Sequence, residues 1–146
     1  MKLSTKGRYG VKAMVELAIN HGQDPLSIKT ISQRQNISEY YLEQLFSPLR
    51  KAGLIKSIRG AQGGYILNKA PREIKISDIM FVLEGPIEIA ECIDGTECNN
   101  IDCCATRLLW TKIKNSIDDV MESITLQDIV DDYDEIKQKN IELKLV

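Results

Sequence analysis

Residues 27–67 carry the pattern that most restricts how this chain can fold. Two short helical segments, residues 27–34 and 39–51, are separated only by the turn Asn36-Ile37-Ser38. Two β-forming segments follow, joined by the glycine-rich sequence Arg59-Gly60-Ala61-Gln62-Gly63. Two helices joined by a tight turn form a helix-turn-helix, and the paired strands predict a hairpin beside it. We therefore expect a mainly α-helical fold, a winged helix-turn-helix with a two-stranded β-wing.

Helical patterns extend on both sides of this unit. Apolar residues at helical spacing predict a first helix capped by Ser4 and a linker helix that starts at residue 76 or 77. We expect Pro48 to bend or distort the helix over residues 39–51. A long amphipathic helix is predicted by the stripe of Leu109, Ile113, Ile117, Val120, Met121 and Ile124. Thr125 can cap a short last helix over residues 126–130.

Charge is divided sharply along the chain. Residues 1–75 hold thirteen Lys or Arg against five Asp or Glu, a charge of +8, whereas residues 76–146 have a charge of −10. A basic domain favours a polyanion, because phosphates neutralised by Lys and Arg release counterions. We expect the basic half to bind double-stranded DNA and the acidic half to stay away from it.

The exposed positions of the helix over residues 39–51 suit base reading. Gln44 can bond to adenine N6 and N7, Glu43 can accept a hydrogen bond from cytosine N4, and Arg50 suits a guanine or a phosphate. Arg59, at the wing tip, is placed to enter a minor groove. The complete set of predicted DNA contacts is Lys2, Ser4, Arg8, Tyr9, Ser38, Tyr40, Tyr41, Glu43, Gln44, Arg50 and Arg59.

All four cysteines of the chain lie within thirteen positions, at Cys92, Cys98, Cys103 and Cys104. Structural zinc sites favour close Cys-x2-4-Cys pairs, which this spacing fits poorly, whereas iron-sulfur clusters tolerate wider and varied spacing. No secretory signal or membrane span is apparent, so we expect a cytoplasmic protein in which clustered thiols are ligands or redox centres. The alternatives are direct thiol sensing without metal, a zinc site, and inert cysteines.

These patterns divide the chain into five parts. Residues 1–75 form the DNA-binding domain, 76–90 the linker helix, 91–106 the cluster-binding loop, 107–131 the dimerisation helix and a short helix, and 132–146 an acidic tail that is partly ordered. An enzyme is not expected, because the chain has no dinucleotide fingerprint and no nucleophile with a histidine partner.

Three motifs together resemble one known family. They are the N-terminal sequence KLSTKGRYG, the stretch from Ser38 to Arg50 that contains YLEQLF, and the wing from Arg59-Gly60 to Gly63-Gly64-Tyr65. They are similar to the bacterial winged-helix transcription regulators that include IscR, CymR and NsrR, and the likeness covers the chain to about residue 130. The resemblance implies a homodimer that represses transcription from a pseudo-palindromic operator.

Similarity to the IscR-like branch implies a 2Fe-2S cluster with Cys92, Cys98 and Cys104 as ligands, and control of genes for cluster biogenesis or related stress. That branch has a histidine three residues after the third cysteine, where this chain has Arg107. A guanidinium stays protonated and is a poor ligand. Cys103 is the obvious fourth ligand, and Asp102, Glu91 or a group from the partner subunit remain alternatives.

Similarity to CymR implies a different regulator. Such a protein represses cysteine-metabolism genes through thiol state or a partner enzyme, and does not rely on this cysteine set. NsrR-like members instead sense nitric oxide through a cluster held by a similar trio. The expected partners are therefore operator DNA and a second copy of the chain, with cluster-assembly proteins or an enzyme as further candidates.

Overall fold

The computed structural model describes residues 2–95 and 104–145, which form seven α-helices and one β-hairpin. The elements in order are α1 (Thr5–Ile19), α2 (Ile28–Gln35), α3 (Glu39–Lys51), β1 (Ile55–Ile58), β2 (Gly64–Leu67), a 3₁₀ turn (Pro71–Glu73), α4 (Ile76–Glu84), α5 (Glu91–Asp94), α6 (Ala105–Ser123) and α7 (Leu126–Lys144). The winged helix-turn-helix expected from the sequence is confirmed.

Serine side chains start the first three helices. Ser4, Ser27 and Ser38 each accept a hydrogen bond from a backbone N–H three residues later, which satisfies one of the free donors of the helix start. Asn36 ends α2 in the left-handed conformation, with φ of 53°. Helix α3 continues as an α-helix through Pro48 to Lys51, so the proline neither ends the helix nor changes its type.

The wing is fastened to the start of the helix-turn-helix. Strands β1 and β2 pair antiparallel, with Ile55 opposite Leu67. Beyond the hairpin, Tyr65 and Leu26 exchange backbone hydrogen bonds of 2.7 and 3.1 Å. A Cβ at Gly64 would lie 2.3 Å from the carbonyl oxygen of Leu26, so only glycine permits this approach.

One hydrophobic core joins α1, α2, α3, α4, the start of α7 and the hairpin. Its side chains with no exposed surface include Ala13, Met14, Ile31, Leu42, Leu45, Phe46, Leu49, Ile74, Ile79 and Leu126. Phe46 also contacts Tyr65 of the wing, with ring centroids 4.8 Å apart. Each large apolar side chain buried in this way contributes about 1.5–3 kcal/mol.

Helix α4 packs closely on α1 because α1 carries two glycines at the contact. A Cβ at Gly10 would lie 2.0 Å from Leu83 Cδ1, and one at Gly7 would lie 2.8 Å from Met80 Cε. Both glycines are buried. The position of α4, and of the segment that follows it, is therefore set by this face of α1.

Helix α6 lies against α4 and α5, and none of its residues is fully buried. Lys75, before α4, pairs with Glu122 of α6 at 2.9 Å. Their mutual hydrogen bond lowers the pKa of Glu122 and raises that of Lys75.

Helix α7 starts in the core at Leu126 and continues to Lys144. The expectation of a short helix that ends at residue 130 is therefore wrong. No Gly or Pro follows Thr125 to end the helix, and side-chain pairs such as Gln127 with Asp131, at 2.9 Å, support it. Among the helices in the described part of the chain, none is long and apolar enough to cross a membrane.

We expect Leu126→Ala to lower the free energy of unfolding by about 2–5 kcal/mol, because it leaves a cavity in the core. Leu126 has no exposed surface, whereas Leu3 is 59% exposed. The same substitution at Leu3 should cost less than about 0.5 kcal/mol. Urea unfolding followed by circular dichroism at one protein concentration measures both, and equal effects would contradict a core role for the first turn of α7.

Candidate functional site

The predicted reading residues of α3 lie opposite its buried face. Leu42, Leu45, Phe46 and Leu49 are buried, and Tyr40, Glu43, Gln44 and Arg50 are exposed. Tyr40 is 71% exposed. Because Tyr40, Glu43 and Gln44 recur at three- and four-residue intervals, they share one side of the helix. This side is free to enter a DNA groove.

Two of the predicted contacts, Tyr9 and Tyr41, pack against each other. Their rings meet edge to face with centroids 6.0 Å apart, and both residues are half-buried. The Arg8 guanidinium and the Lys12 ammonium lie 5.9 and 5.7 Å from the centroid of the Tyr9 ring. Tyr9 therefore holds basic groups of α1 beside α3, in addition to any contact with DNA.

The remaining basic groups of this surface are exposed. They are Lys2, which precedes α1, Arg8 in the first turn of α1, and Arg59 at the wing tip. Within the residues that the structure describes, none of them, nor Arg50, forms an ion pair. Their charge is thus available to phosphates.

Glu84 is a residue that the sequence did not single out. It accepts hydrogen bonds from the Ser4 hydroxyl and, at 3.0 Å, from the backbone N–H of Gly7. Gly7 N–H also donates to Ser4 Oγ at 2.9 Å. The carboxylate stabilises the positive end of α1, and joins the last turn of α4 to the basic N-terminal residues. Ser4, predicted to contact DNA, is engaged in this contact.

Glu16 is a second residue that the sequence did not reveal. It is almost buried and accepts hydrogen bonds from Gln35 Nε2 at 2.6 Å and Arg34 Nη1 at 3.3 Å. These bonds fasten the end of α2 to α1. Arg34 thus has a structural partner and does not add to the exposed basic groups.

The structure describes only the two ends of the cysteine-rich segment, residues 92–104. Cys92 lies in α5, and Cys104 is the residue at which α6 begins. Both are free thiols and half-buried, and α5 packs against α6. The predicted ligands Cys98 and Cys103 lie outside the described residues, as does the alternative Asp102. Within the described ranges, no three potential ligands already form a metal site.

Lys114 of α6 holds the segment that carries Cys92. Its ammonium donates to the carbonyl oxygen of Ile87 at 2.8 Å, and lies 3.8 Å from Asp94 and 3.4 Å from Asp118. Asp94 in turn accepts the backbone N–H of Ile89 at 2.7 Å. This network holds residues 87–94, which lead into the cysteine-rich segment, against α6, the helix that follows that segment.

Cys104 has a polar and electropositive environment. Thr106 Oγ1 lies 3.2 Å from its sulfur, and this hydrogen bond, followed by one to the backbone of Arg107, lowers the pKa of the thiol. The Arg107 charge acts in the same direction. Arg107 Nη1 is buried and has no hydrogen-bond partner among residues 2–95 and 104–145. This donor therefore faces a place suited to an acceptor or an anion.

The fold and the exposed polar face of α3 define a winged-helix DNA-binding protein. A family model, "Rrf2: Iron-dependent Transcriptional regulator", matches residues 3–132. The chain is 52% identical over 129 residues to the HTH-type transcriptional regulator CymR of Bacillus subtilis, covering 88% of this chain and 89% of the relative. The chain therefore belongs to the Rrf2 family of transcriptional regulators, and the resemblance seen in the sequence is confirmed.

Two solved structures are similar over nearly the whole chain. One is CymR, described as the global cysteine regulator of B. subtilis, with a TM-score of 0.79, 50% identity, and coverage of 90% of this chain and 97% of that one. The other is T. potens IscR, also with a TM-score of 0.79 and 50% identity, and with coverage of 93% and 90%. These two structures are thus equally similar to the chain in TM-score and identity.

We expect Lys114→Met to loosen residues 87–94, because it removes a charge-assisted bond to the Ile87 carbonyl and leaves Asp94 without its cation. A loss of about 1 kcal/mol would raise amide hydrogen exchange in this segment about fivefold. Lys112→Met removes the same charge from an exposed position of α6. Amide hydrogen exchange measured by mass spectrometry should show no change in residues 87–94 of this control. Equal exchange of that segment in the two variants would contradict the anchoring role of Lys114.

Proposed function

We propose that this member of the Rrf2 family is a homodimeric repressor whose cysteine segment holds a 2Fe-2S cluster and whose affinity for a pseudo-palindromic operator depends on that cluster. The observation that carries this proposal is the arrangement of Cys92 and Cys104. Two free, half-buried thiols stand on helices that pack against each other, at the two ends of the only cysteine-rich segment of the sequence.

The donor set suits the cluster. Cys92, Cys98 and Cys104 would supply three thiolates and Cys103 the fourth, and thiolates are the usual ligands of iron-sulfur clusters. Nη1 of Arg107, which is buried and has no hydrogen-bond partner among the described residues, belongs to a guanidinium beside Cys104 whose charge would offset the negative charge of a thiolate-bound group. When bound, the cluster supplies a redox-active centre that oxidants can also remove.

The chain's own contacts offer a route from the cysteines to the DNA-binding surface. Lys114 fixes the segment before Cys92 to α6, and α6 lies against α4. Glu84 at the end of α4 then bonds to the start of α1, where the basic residues lie. A change in the order of the cysteine segment would therefore reach Ser4 and Gly7 through two helix contacts.

Dimerisation is proposed through α6. This helix has no fully buried residue within the described chain, and Leu108, Leu109 and Val120 on it are exposed. An amphipathic helix with such a surface is suited to a symmetric interface. In a two-fold dimer the two α3 helices would read half-sites about 34 Å apart, or at a multiple of that distance. The regulator would act in the cytoplasm on genes for cluster biogenesis or related stress.

A second candidate is a CymR-like repressor of cysteine metabolism that works without a cluster. It is favoured by the 52% identity to CymR of B. subtilis over 88% of the chain. In this case the thiol state of the cysteines, or a partner enzyme, would control DNA binding. The lowered pKa of Cys104 suits a reactive thiol.

Iron and acid-labile sulfide, measured beside an absorption spectrum after anaerobic purification, decide between the two candidates. We expect about two irons and two sulfides per chain, because four thiolates hold such a cluster. Cys104→Ala should lose most of both, and Cys103→Ala tests the fourth ligand in the same way. Lys112→Met, on an exposed face of α6, is the control that keeps the full content.

Absence of iron from every preparation, including after chemical reconstitution, would exclude the cluster proposal. Operator affinity that then changes with thiol oxidation or with an added partner enzyme would support the CymR-like candidate. Operator affinity that depends on bound iron would support the first.

The exposed carboxylate of Glu43 is proposed to set sequence preference. On an operator whose base offers no donor, the Glu43 carboxylate is desolvated without a partner and is repelled by the phosphates. Binding to such an operator is therefore weakened. We expect Glu43→Ala to reduce discrimination between operators that differ at the contacted base pair by about 1–3 kcal/mol, with little loss of affinity for the preferred site. Fluorescence anisotropy with a set of single-base operator variants measures this. An unchanged ranking of the variants would refute the assignment.

A further inference from the structure

The distal part of α7 presents an apolar stripe that no described residue covers. The first turns of the helix reach the core through Leu126 and Val130. The same side continues through Tyr133, Ile136 and Ile141, which are 41%, 60% and 45% exposed. Every residue from 131 to 145 is exposed. A helix of this kind gains most of its stability by packing its apolar side against another surface.

Charge along α7 is divided in a way that points to the occupant of this stripe. Residues 126–135 carry five acidic side chains and no basic one, whereas residues 136–145 carry three lysines and one glutamate. An antiparallel copy of the same helix would place the acidic half of one beside the basic half of the other. A parallel copy would place each half beside its like charge.

The positions of individual residues agree on one register. The pair Asp132 and Lys139 and the pair Asp134 and Lys137 have the same midpoint, between residues 135 and 136. A two-fold axis at that midpoint brings each member of a pair opposite the other member on the second helix. Since a two-fold contact uses the same patch on both chains, this self-complementarity favours a second copy over an unrelated partner.

We propose that the α7 helices of two copies pair antiparallel about a two-fold axis between residues 135 and 136, with Tyr133 and Ile136 at the centre of the contact. Residues beyond 132 lie outside the match to the family model. The pairing is therefore an interface of this chain that goes beyond the proposed DNA-binding function and beyond the contact through α6.

Charge reversal in two complementary variants tests this register. Asp132→Lys with Asp134→Lys makes the paired positions all basic, and Lys137→Asp with Lys139→Asp makes them all acidic. Each variant alone repels its own copy at four contacts, and a mixture of the two attracts at all four. We expect a roughly hundredfold preference for the mixed dimer at low salt. Native mass spectrometry of an equimolar mixture should then show about nine-tenths heterodimer.

The matched control is Asp131→Lys with Glu135→Lys, which makes the same change of charge at positions whose partners in this register, Asn140 and Ile136, are uncharged. When this control is mixed with the all-acidic variant, the fraction of heterodimer should exceed the one half expected from random exchange by less than it does for the complementary pair. A heterodimer share of only one half from the complementary pair would overturn the proposal. This is the share expected if α7 docks on another segment or on another protein. Operator binding, measured in parallel, shows separately whether the proposed function stands.

Discussion

The close contact between α1 and α4 is the constraint on which the rest of the structure depends. Gly7 and Gly10 remove two side chains from α1, so that Met80 and Leu83 reach its backbone surface. Helix α6 lies against α4, and α5 lies against α6. Because interiors are close-packed, a shift of α4 cannot be absorbed locally. The basic N-terminal residues and the cysteine segment thus share one supporting contact, which Glu84 completes through hydrogen bonds.

The sequence predicts what depends on neighbouring residues and misses what depends on distant ones. Serine caps, the Asn36 turn and the glycine-rich hairpin are local signals, and the winged helix-turn-helix follows from them. The bonds of Glu84 to residue 7 and of Lys114 to residue 87 join segments far apart in sequence, and no local pattern marks either one. The length of α7 is missed because a charge-rich sequence predicts an early end of the helix, although none of these residues stops one.

The sequence can predict which residues of α3 would read DNA, because the buried face of this helix leaves a defined opposite face. The bases that these residues are predicted to contact follow from side-chain type. The choice between a cluster sensor and a cysteine-metabolism repressor is different. The CymR structure of B. subtilis and the T. potens IscR structure are each 50% identical to this chain over about nine-tenths of it. Overall identity therefore reports the shared scaffold, and whole-chain similarity gives very little weight to the four cysteines and Arg107.

The continuity of α7 has a mechanical consequence. A helix of nineteen residues is about 28 Å long. Its first turn is fixed in the core at Leu126, and its far end is free of the rest of the described chain. It therefore acts as a lever arm: a rotation of about 5° in the domain that holds the first turn moves the far end by roughly 2–3 Å. Any restraint at that end resists angular motion of the DNA-binding domain far more strongly than the same restraint placed near its base.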